Sequence, residues 1–234
     1  MDEDPRPAPG GEADFPRLVG LTMTARDEVL ARIRRALADV PDMEKPDTVG
    51  VPRAYAAHEP GGTHDRFVER VSDYGAGVTV VGSEEVATAV GRVCRAAGVD
   101  RVVVPADLPR EWLPADVNVV VDDGHGVEAL DEVGAALTGC AFAIAETGTL
   151  VFDAGARQGR RALTLVPDFH LCVVEEGQVV DGVVAAIRRL APDLRGERRP
   201  VTFVSGPSAT SDIELSRVEG VHGPRRLELV FVRG

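Results

Sequence analysis

The chain is short of several things, and each shortage closes off a class of function. Nowhere does an apolar run approach the ~20 residues that a bilayer-crossing helix needs. The N-terminus carries Asp and Glu rather than a positive region followed by an apolar stretch, so no signal peptide is expected and a cytoplasmic protein is the natural reading. Aromatic residues make up only 4% of the chain, so Val, Leu, Ile and Ala must build the core. There is one lysine, Lys45, inside the Pro-rich setting Glu44-Lys45-Pro46. That removes a P-loop lysine, a Schiff-base lysine and a lysine general base from consideration. The three cysteines, Cys94, Cys140 and Cys172, are far apart and form no C-x-x-C pair. They fall short of a zinc ribbon or a four-thiolate iron–sulfur site, and each sits in an apolar pattern that reads as a buried structural thiol. No G-x-G-x-x-G follows the first predicted strand; Gly75-Ala76-Gly77 precedes it instead, so the dinucleotide fingerprint is absent. Acidic residues outnumber basic ones, 38 to 26. A net charge of −12 with dispersed acidic residues argues against nucleic-acid binding, which depends on neutralising phosphates.

What is present suffices for a globular domain. At 234 residues and 44% hydrophobic content the chain can bury a substantial core. Residues 1–20, rich in Pro, Gly, Asp and Glu, are expected to be disordered. Residues 21–61 hold a short helix opening at Thr24, with Val29, Leu30, Ile33 and Leu37 at helical spacing, and then a Pro-rich linker. The body is expected over 62–234. Strands are predicted at 78–81, 101–104, 117–121, 140–145, 149–153, 162–166, 171–174, 201–204 and 226–232. Helices are predicted at 63–74, 83–97, 127–136 and 179–190. The alternation of strand and helix up to residue 140 implies an α/β fold with a doubly wound, mostly parallel sheet. The crowded short strands from 140 to 174 imply an added antiparallel element.

Two segments between strands stand out. Ser205-Gly206-Pro207-Ser208-Ala209-Thr210-Ser211-Asp212-Ile213-Glu214 is rich in hydroxyls and free backbone N–H groups, which suits an anion, phosphate or carboxylate. A plain Gly/Pro turn is the alternative. Asp212 and Glu214 alternate across Ile213, so in an extended segment they share a face. Glu146-Thr147-Gly148-Thr149 lies between two apolar strands. Glu146 reads either as a functional carboxylate or as a turn acceptor holding local N–H groups. Ligands of doubly wound sheets bind beyond the C-terminal strand ends, and Glu146, Thr147, Gly148, Ser208 and Thr210 are expected to line one pocket there.

Taken in order, Ala145-Glu146-Thr147-Gly148-Thr149, Pro167-Asp168-Phe169-His170, Gly206-Pro207-Ser208 with Asp212-Ile213-Glu214, and Gly220-Val221-His222-Gly223-Pro224 resemble the LUD (lactate utilization) domain, specifically its LutC-like branch. The resemblance covers roughly residues 65–234. It implies a NagB/RpiA/CoA-transferase-like fold. It also implies a part in the oxidation of L-lactate to pyruvate beside LutA-like and LutB-like partner subunits that carry the iron–sulfur clusters, with no cofactor in this chain. CoA-transferases of that fold use a glutamate in a Glu-Asn-Gly setting; here the setting is Glu146-Thr147-Gly148, so the middle residue departs. Two other readings stay open: a standalone acyl- or phosphate-handling enzyme using Glu146, and a non-catalytic assembly subunit.

The candidate catalytic residues are therefore Glu146, His170 and His222. The candidate ligand-binding residues are Thr147, Gly148, Thr149, Ser205, Gly206, Ser208, Thr210, Asp212, Glu214 and Gly223. His170 has a possible proton-transfer role, against that of a strand-edge histidine bonded to backbone. His222 sits among glycines that would let it approach a ligand, against a solvent-facing turn. His170, His222, Asp212 and Glu214 lack the close spacing of a metal site, and none is assigned. Ser208 lies in Gly206-Pro207-Ser208-Ala209, which is not the G-x-S-x-G nucleophile elbow.

Overall fold

A computed structural model of the chain describes residues 24–41, 63–195, 199–210, 218–219 and 222–234. The predicted disordered segment 1–20 and nearly all of the predicted linker 41–61 lie outside the described residues. The chain divides into two units, Met1–Ala56 and Ala57–Gly234. In the first, helix α1 (Ala25–Ala36) begins at a capping box. The Thr24 hydroxyl accepts the Asp27 N–H at 3.2 Å, and the Asp27 carboxylate accepts the Thr24 N–H at 3.2 Å.

The second unit opens with α2 (Thr63–Asp73), followed by β1 (Gly77–Gly82), α3 (Val86–Ala97), β2 (Arg101–Val104) and β3 (Asn118–Val121). Then come α4 (Val127–Val133), β4 (Ala135–Thr138), β5 (Phe142–Ile144), β6 (Thr149–Phe152), β7 (Phe169–Glu175) and β8 (Val179–Val180). The chain closes with α5 (Val183–Arg195), β9 (Thr202–Val204), β10 (Ala209–Thr210), β11 (Val218–Glu219) and β12 (Arg226–Arg233). Six strands form a parallel sheet in the order β1-β12-β7-β4-β2-β3. A second sheet runs β8-β5-β6-β9, antiparallel at β5–β6 and β6–β9 and parallel at β5–β8. β10 and β11 form a two-residue ribbon.

The period-2 alternation of the strands builds the layers. Phe169, Leu171 and Val173 of β7 face α3, whose stripe Val86, Ala89, Val90, Val93 and Cys94 covers that side of the parallel sheet. Cys172 and Val174 face the other side, with Leu229 and Phe231 of β12. There α2 contributes Phe67 and Val71, and the second sheet contributes Ala143, Leu150 and Phe152. The outer face of the second sheet, Phe142, Ile144 and Val151, is closed by Ala186 and Leu190 of α5. The central strands of both sheets are thus covered on both faces, as parallel strands of continuous Val/Leu/Ile require, while the edge strands β1, β3 and β9 stay partly exposed.

The structure corrects four sequence expectations. The predicted helix 127–136 stops at Val133, where Gly134 takes a left-handed φ of 72° and ends it. Ala135–Thr138 then forms β4, a central strand between β2 and β7. Alanine favours helix in isolation, but burial on both faces in a parallel sheet overrides that preference. The predicted strand 162–166 is a 3₁₀ turn over Arg161–Thr164. The predicted helix 179–190 starts later, because Val179–Val180 first add to β5 as β8. Finally, β7 belongs to the parallel sheet rather than to the added element, which is the separate four-stranded sheet.

Candidate functional site

Two apolar strands that end in hydroxyl-rich turns, β5 and β9, meet through β6. Ser205 follows β9, and its Oγ lies 2.7 Å from Thr149 Oγ1 at the start of β6. Thr149 Oγ1 is in turn 2.6 Å from Thr147 Oγ1. A chain of three hydroxyls therefore joins the two segments. Gly148 makes the turn possible. It sits at φ 58°, and a Cβ there would fall 2.5 Å from the Val71 backbone nitrogen of α2.

Past Ser205, the loop wraps a cleft of about 420 Å³, within the range typical of small-molecule sites. Its walls include Tyr74, Arg161, Thr164, His170, Thr202, Ser205, Gly206, Ser208, His222, Gly223 and Leu227. Gly206, at φ 138°, is pressed against Tyr74; a Cβ would lie 2.8 Å from the Tyr74 Cβ, so only glycine fits. Ser208 is held from two sides. Its N–H donates to the Pro224 carbonyl at 2.8 Å, and its hydroxyl accepts the His222 N–H at 3.1 Å. The Ser208 hydroxyl proton is thus left to donate elsewhere.

The cleft lies at the N-terminal ends of the parallel strands, not the C-terminal ends that the doubly wound pattern suggested. Tyr74 precedes β1, while His170 and Leu227 are the second residues of β7 and β12. The reason is topological: the hydroxyl-rich loop runs from β9 of the second sheet into the start of β12. His170 is buried, with Nε2 2.8 Å from Thr138 Oγ1 and its ring 5.5 Å from that of Phe152. Burial pulls its pKa down from 6.5 to about 4, so the imidazole is neutral at physiological pH and serves as a hydrogen-bonding group rather than a cation. His222 is exposed at the rim.

The described residues lining this cleft include no carboxylate, although the chain carries a net charge of −12. They do include Arg161, which pairs with no carboxylate among the described residues. Arg161 was missed in the sequence; the run Arg157-Gln158-Gly159-Arg160-Arg161, dense in arginine within an acidic chain, was the available signal.

The single pocket expected from Glu146, Thr147, Gly148, Ser208 and Thr210 is not what the fold makes. Ser208 lines the cleft with Ser205, Gly206 and Gly223, whereas Glu146, Thr147, Gly148 and Thr149 do not. Thr147 and Thr149 reach it only through Ser205. The Glu146 carboxylate accepts the Val183 N–H at 3.0 Å at the start of α5, and its own N–H donates to the Asp181 carbonyl at 2.9 Å. It ties the β5 turn to α5. Thr210 pairs with Val218 in the β10–β11 ribbon. Asp212 and Glu214 lie outside the described residues.

The cysteines are buried and divided between the two sides of the parallel sheet. Cys94 packs with α3 on one, and Cys140 and Cys172 pack together on the other. Burial pushes the Cys94 thiol up to about 11 and raises Cys172 as well.

Comparison with known proteins agrees with this architecture. A LUD domain family model matches residues 121–232, the stretch from the end of β3 to β12. Lactate utilization protein C of Deinococcus radiodurans is 46% identical over 90% of this chain and 97% of its own length. The uncharacterized protein YkgG of Escherichia coli K12 is 32% identical over 68% of this chain and 75% of its own length. A crystal structure of a DUF162 family protein from Deinococcus radiodurans superposes with a TM-score of 0.63 at 40% identity, covering 74% of this chain and 96% of that one. With the two-sheet fold and near full-length similarity together, this chain belongs to the LUD-domain family and is LutC-like.

Proposed function

We propose that this chain takes part in lactate utilization, in the oxidation of L-lactate to pyruvate beside LutA-like and LutB-like iron–sulfur subunits, and that the cleft at the N-terminal strand ends binds a small carboxylate for that task. The observation that carries the site is the charge of its walls. In a chain of net charge −12, the described lining holds no carboxylate and one guanidinium, Arg161, together with the Ser205 and Ser208 hydroxyls. A guanidinium and two hydroxyls match a carboxylate with an adjacent 2-hydroxyl or 2-oxo group. The family supports the lactate context, through the name that the Deinococcus radiodurans relative bears.

L-lactate gives up two electrons and two protons on becoming pyruvate. Three buried cysteines on two sides of a sheet do not fit a four-thiolate cluster, so the electrons leave through the partner subunits. This chain's share is to hold and orient the acid: Arg161 fixes the carboxylate, Ser208 donates to it, and neutral His170, bonded to Thr138, backs the cleft wall without adding charge.

A thermal-shift titration with L-lactate and pyruvate tests the site, since ligands that bind only the folded state raise the midpoint by mass action. A charge-assisted hydrogen bond is worth about 1.5–3 kcal/mol, so Arg161→Gln should weaken binding by roughly 10- to 100-fold. A wild-type chain that shows no shift, or a shift that Arg161→Gln leaves intact, overturns the assignment. Co-purification with LutA-like and LutB-like subunits tests the assembly separately.

A further inference from the structure

At the opposite end of the parallel sheet a second cleft, of about 300 Å³, opens beyond the C-terminal ends of β4 and β7. This is the edge where open α/β sheets most often take ligands. Its walls carry three arginines, Arg157, Arg189 and Arg199. Two of the guanidiniums lie against aromatic rings: Arg189 Cζ is 4.9 Å from the centroid of Phe142, and Arg157 Cζ is 5.3 Å from that of Trp112. A guanidinium held by its face keeps its N–H edge in plane for an anion. The acidic residues nearby are already engaged. Asp153, nearly buried, accepts the Gln158 side-chain amide at 2.7 Å and the Gly155 N–H at 3.0 Å, and pairs with Arg199 at 3.5 Å. Glu175 pairs with Arg157 at 3.1 Å.

The backbone here is held in an unfavourable shape. Ala154 and Arg157 take left-handed φ values of 55° and 64°, each costing of order 1–2 kcal/mol for a residue with a Cβ. Two bonds hold Arg157 there. Its carbonyl accepts the Gly139 N–H at 2.7 Å, and its N–H donates to Asp107 at 2.7 Å. Strain maintained by such bonds marks a place where side-chain direction matters; here it sets the Arg157 side chain in the cleft wall, over Trp112 and within reach of Glu175.

We propose that this cleft is a second binding site, distinct from the carboxylate cleft, for the phosphate group of a phosphorylated small molecule, gripped by Arg157 and Arg189. The described lining holds three guanidiniums and one carboxylate, Asp153, while Glu175 and Asp107 bond Arg157 from outside it. Planar N–H forks suit the oxygens of a phosphate.

The test uses the full chain with inorganic phosphate and pyrophosphate as probes, followed by calorimetry and by phosphorus NMR line broadening at constant ionic strength. The expected result is saturable binding that weakens at least 10-fold in Arg189→Gln, a substitution on the exposed side of α5, and further in Arg157→Gln/Arg189→Gln. Arg161→Gln, in the other cleft, should leave it unchanged. Circular dichroism verifies that the variants fold, and Arg189→Lys, which keeps the charge without the fork, should recover only part of the affinity. Absence of saturable binding, binding that the double variant retains, or binding lost in Arg161→Gln would overturn the proposal.

Discussion

Thr149 Oγ1 and Ser205 Oγ lie 2.7 Å apart, 56 residues apart in sequence. Through that bond the Glu146–Thr149 turn, itself outside the cleft, sets the position of the loop that forms the cleft wall. Thr149→Val keeps the shape of the side chain and removes its hydroxyl, leaving Thr147 and Ser205 each short of a partner. A lost hydrogen bond of this kind costs about 1–3 kcal/mol. Urea denaturation should show a loss of that size, and Thr149→Ser should recover most of it.

Two glycines separate steric need from conformational need. Gly148 (φ 58°) and Gly98 (φ 70°) are both left-handed, but a Cβ on Gly148 meets the Val71 nitrogen at 2.5 Å and one on Gly98 meets nothing within 4 Å. Gly98→Ala should cost about 1–2 kcal/mol, the left-handed penalty alone. Gly148→Ala should cost clearly more, because backbone must move. Equal losses in denaturant midpoint would mean that the close approach of α2 to the turn is not tight in solution.

The Gly206→Ala substitution targets the cleft directly. Its φ of 138° and the 2.8 Å approach to Tyr74 Cβ leave no room for a methyl group, so the loop carrying Ser205 and Ser208 must shift. The expected outcome is a weakened thermal shift with L-lactate or pyruvate and little change in far-UV circular dichroism.

His170 makes stability depend on pH. Its folded-state pKa, about 4, is below the ordinary 6.5 because burial disfavours the charged ring. The folded state therefore binds fewer protons than the unfolded state between those values. Its contribution is complete above pH 6.5 and is lost as pH falls toward 4, at about 1.4 kcal/mol per pH unit and roughly 3 kcal/mol in all. Denaturant midpoints measured from pH 7 to 4.5 should fall more steeply for the wild type than for His170→Gln. Parallel curves would show that the ring is hydrated.

Asp122 adds a second, more acidic dependence. Arg160 grips it through two bonds, Nε to Oδ2 at 2.7 Å and a terminal nitrogen to Oδ1 at 2.9 Å, and the Arg160 hydrogen bond holds the carboxyl below its usual range. A depressed carboxylate stabilises the fold above its unfolded pKa and loses that contribution as pH falls through the folded one. Asp122→Asn should flatten the acid limb below about pH 4 while lowering the midpoint at neutral pH.

Much of this was legible in the sequence where one signal sufficed. The Val-rich strands β1, β2, β3 and β12 announced a buried parallel sheet, and Ser205–Ser208 announced a loop that walls a cleft. Reading failed where a local signal opposed a distant one. Ala135-Ala136-Leu137 favours helix until Gly134 stops it and neighbours on both sides claim it as β4. Glu146-Thr147-Gly148-Thr149 looks chemical because of its polar residues, yet its polarity is spent on α5 and on Ser205. The arginines of both clefts were hard to single out for the converse reason: arginine is common in this chain, and apart from the dense run 157–161 only the fold distinguishes the few that converge.

The place of β12 has a consequence for how the molecule comes into being. β1 touches the parallel sheet only through β12, with Gly77 beside Glu228, and β12 also borders β7. Among the described strands, the first to leave the ribosome must wait for the last before it has a partner. Until then β1 and β7 both present bare edges, which are templates for pairing with other chains, and closure across so long a loop is slow. Folding of this body is thus a race between arrival of its keystone strand and capture of the waiting edges by a neighbour.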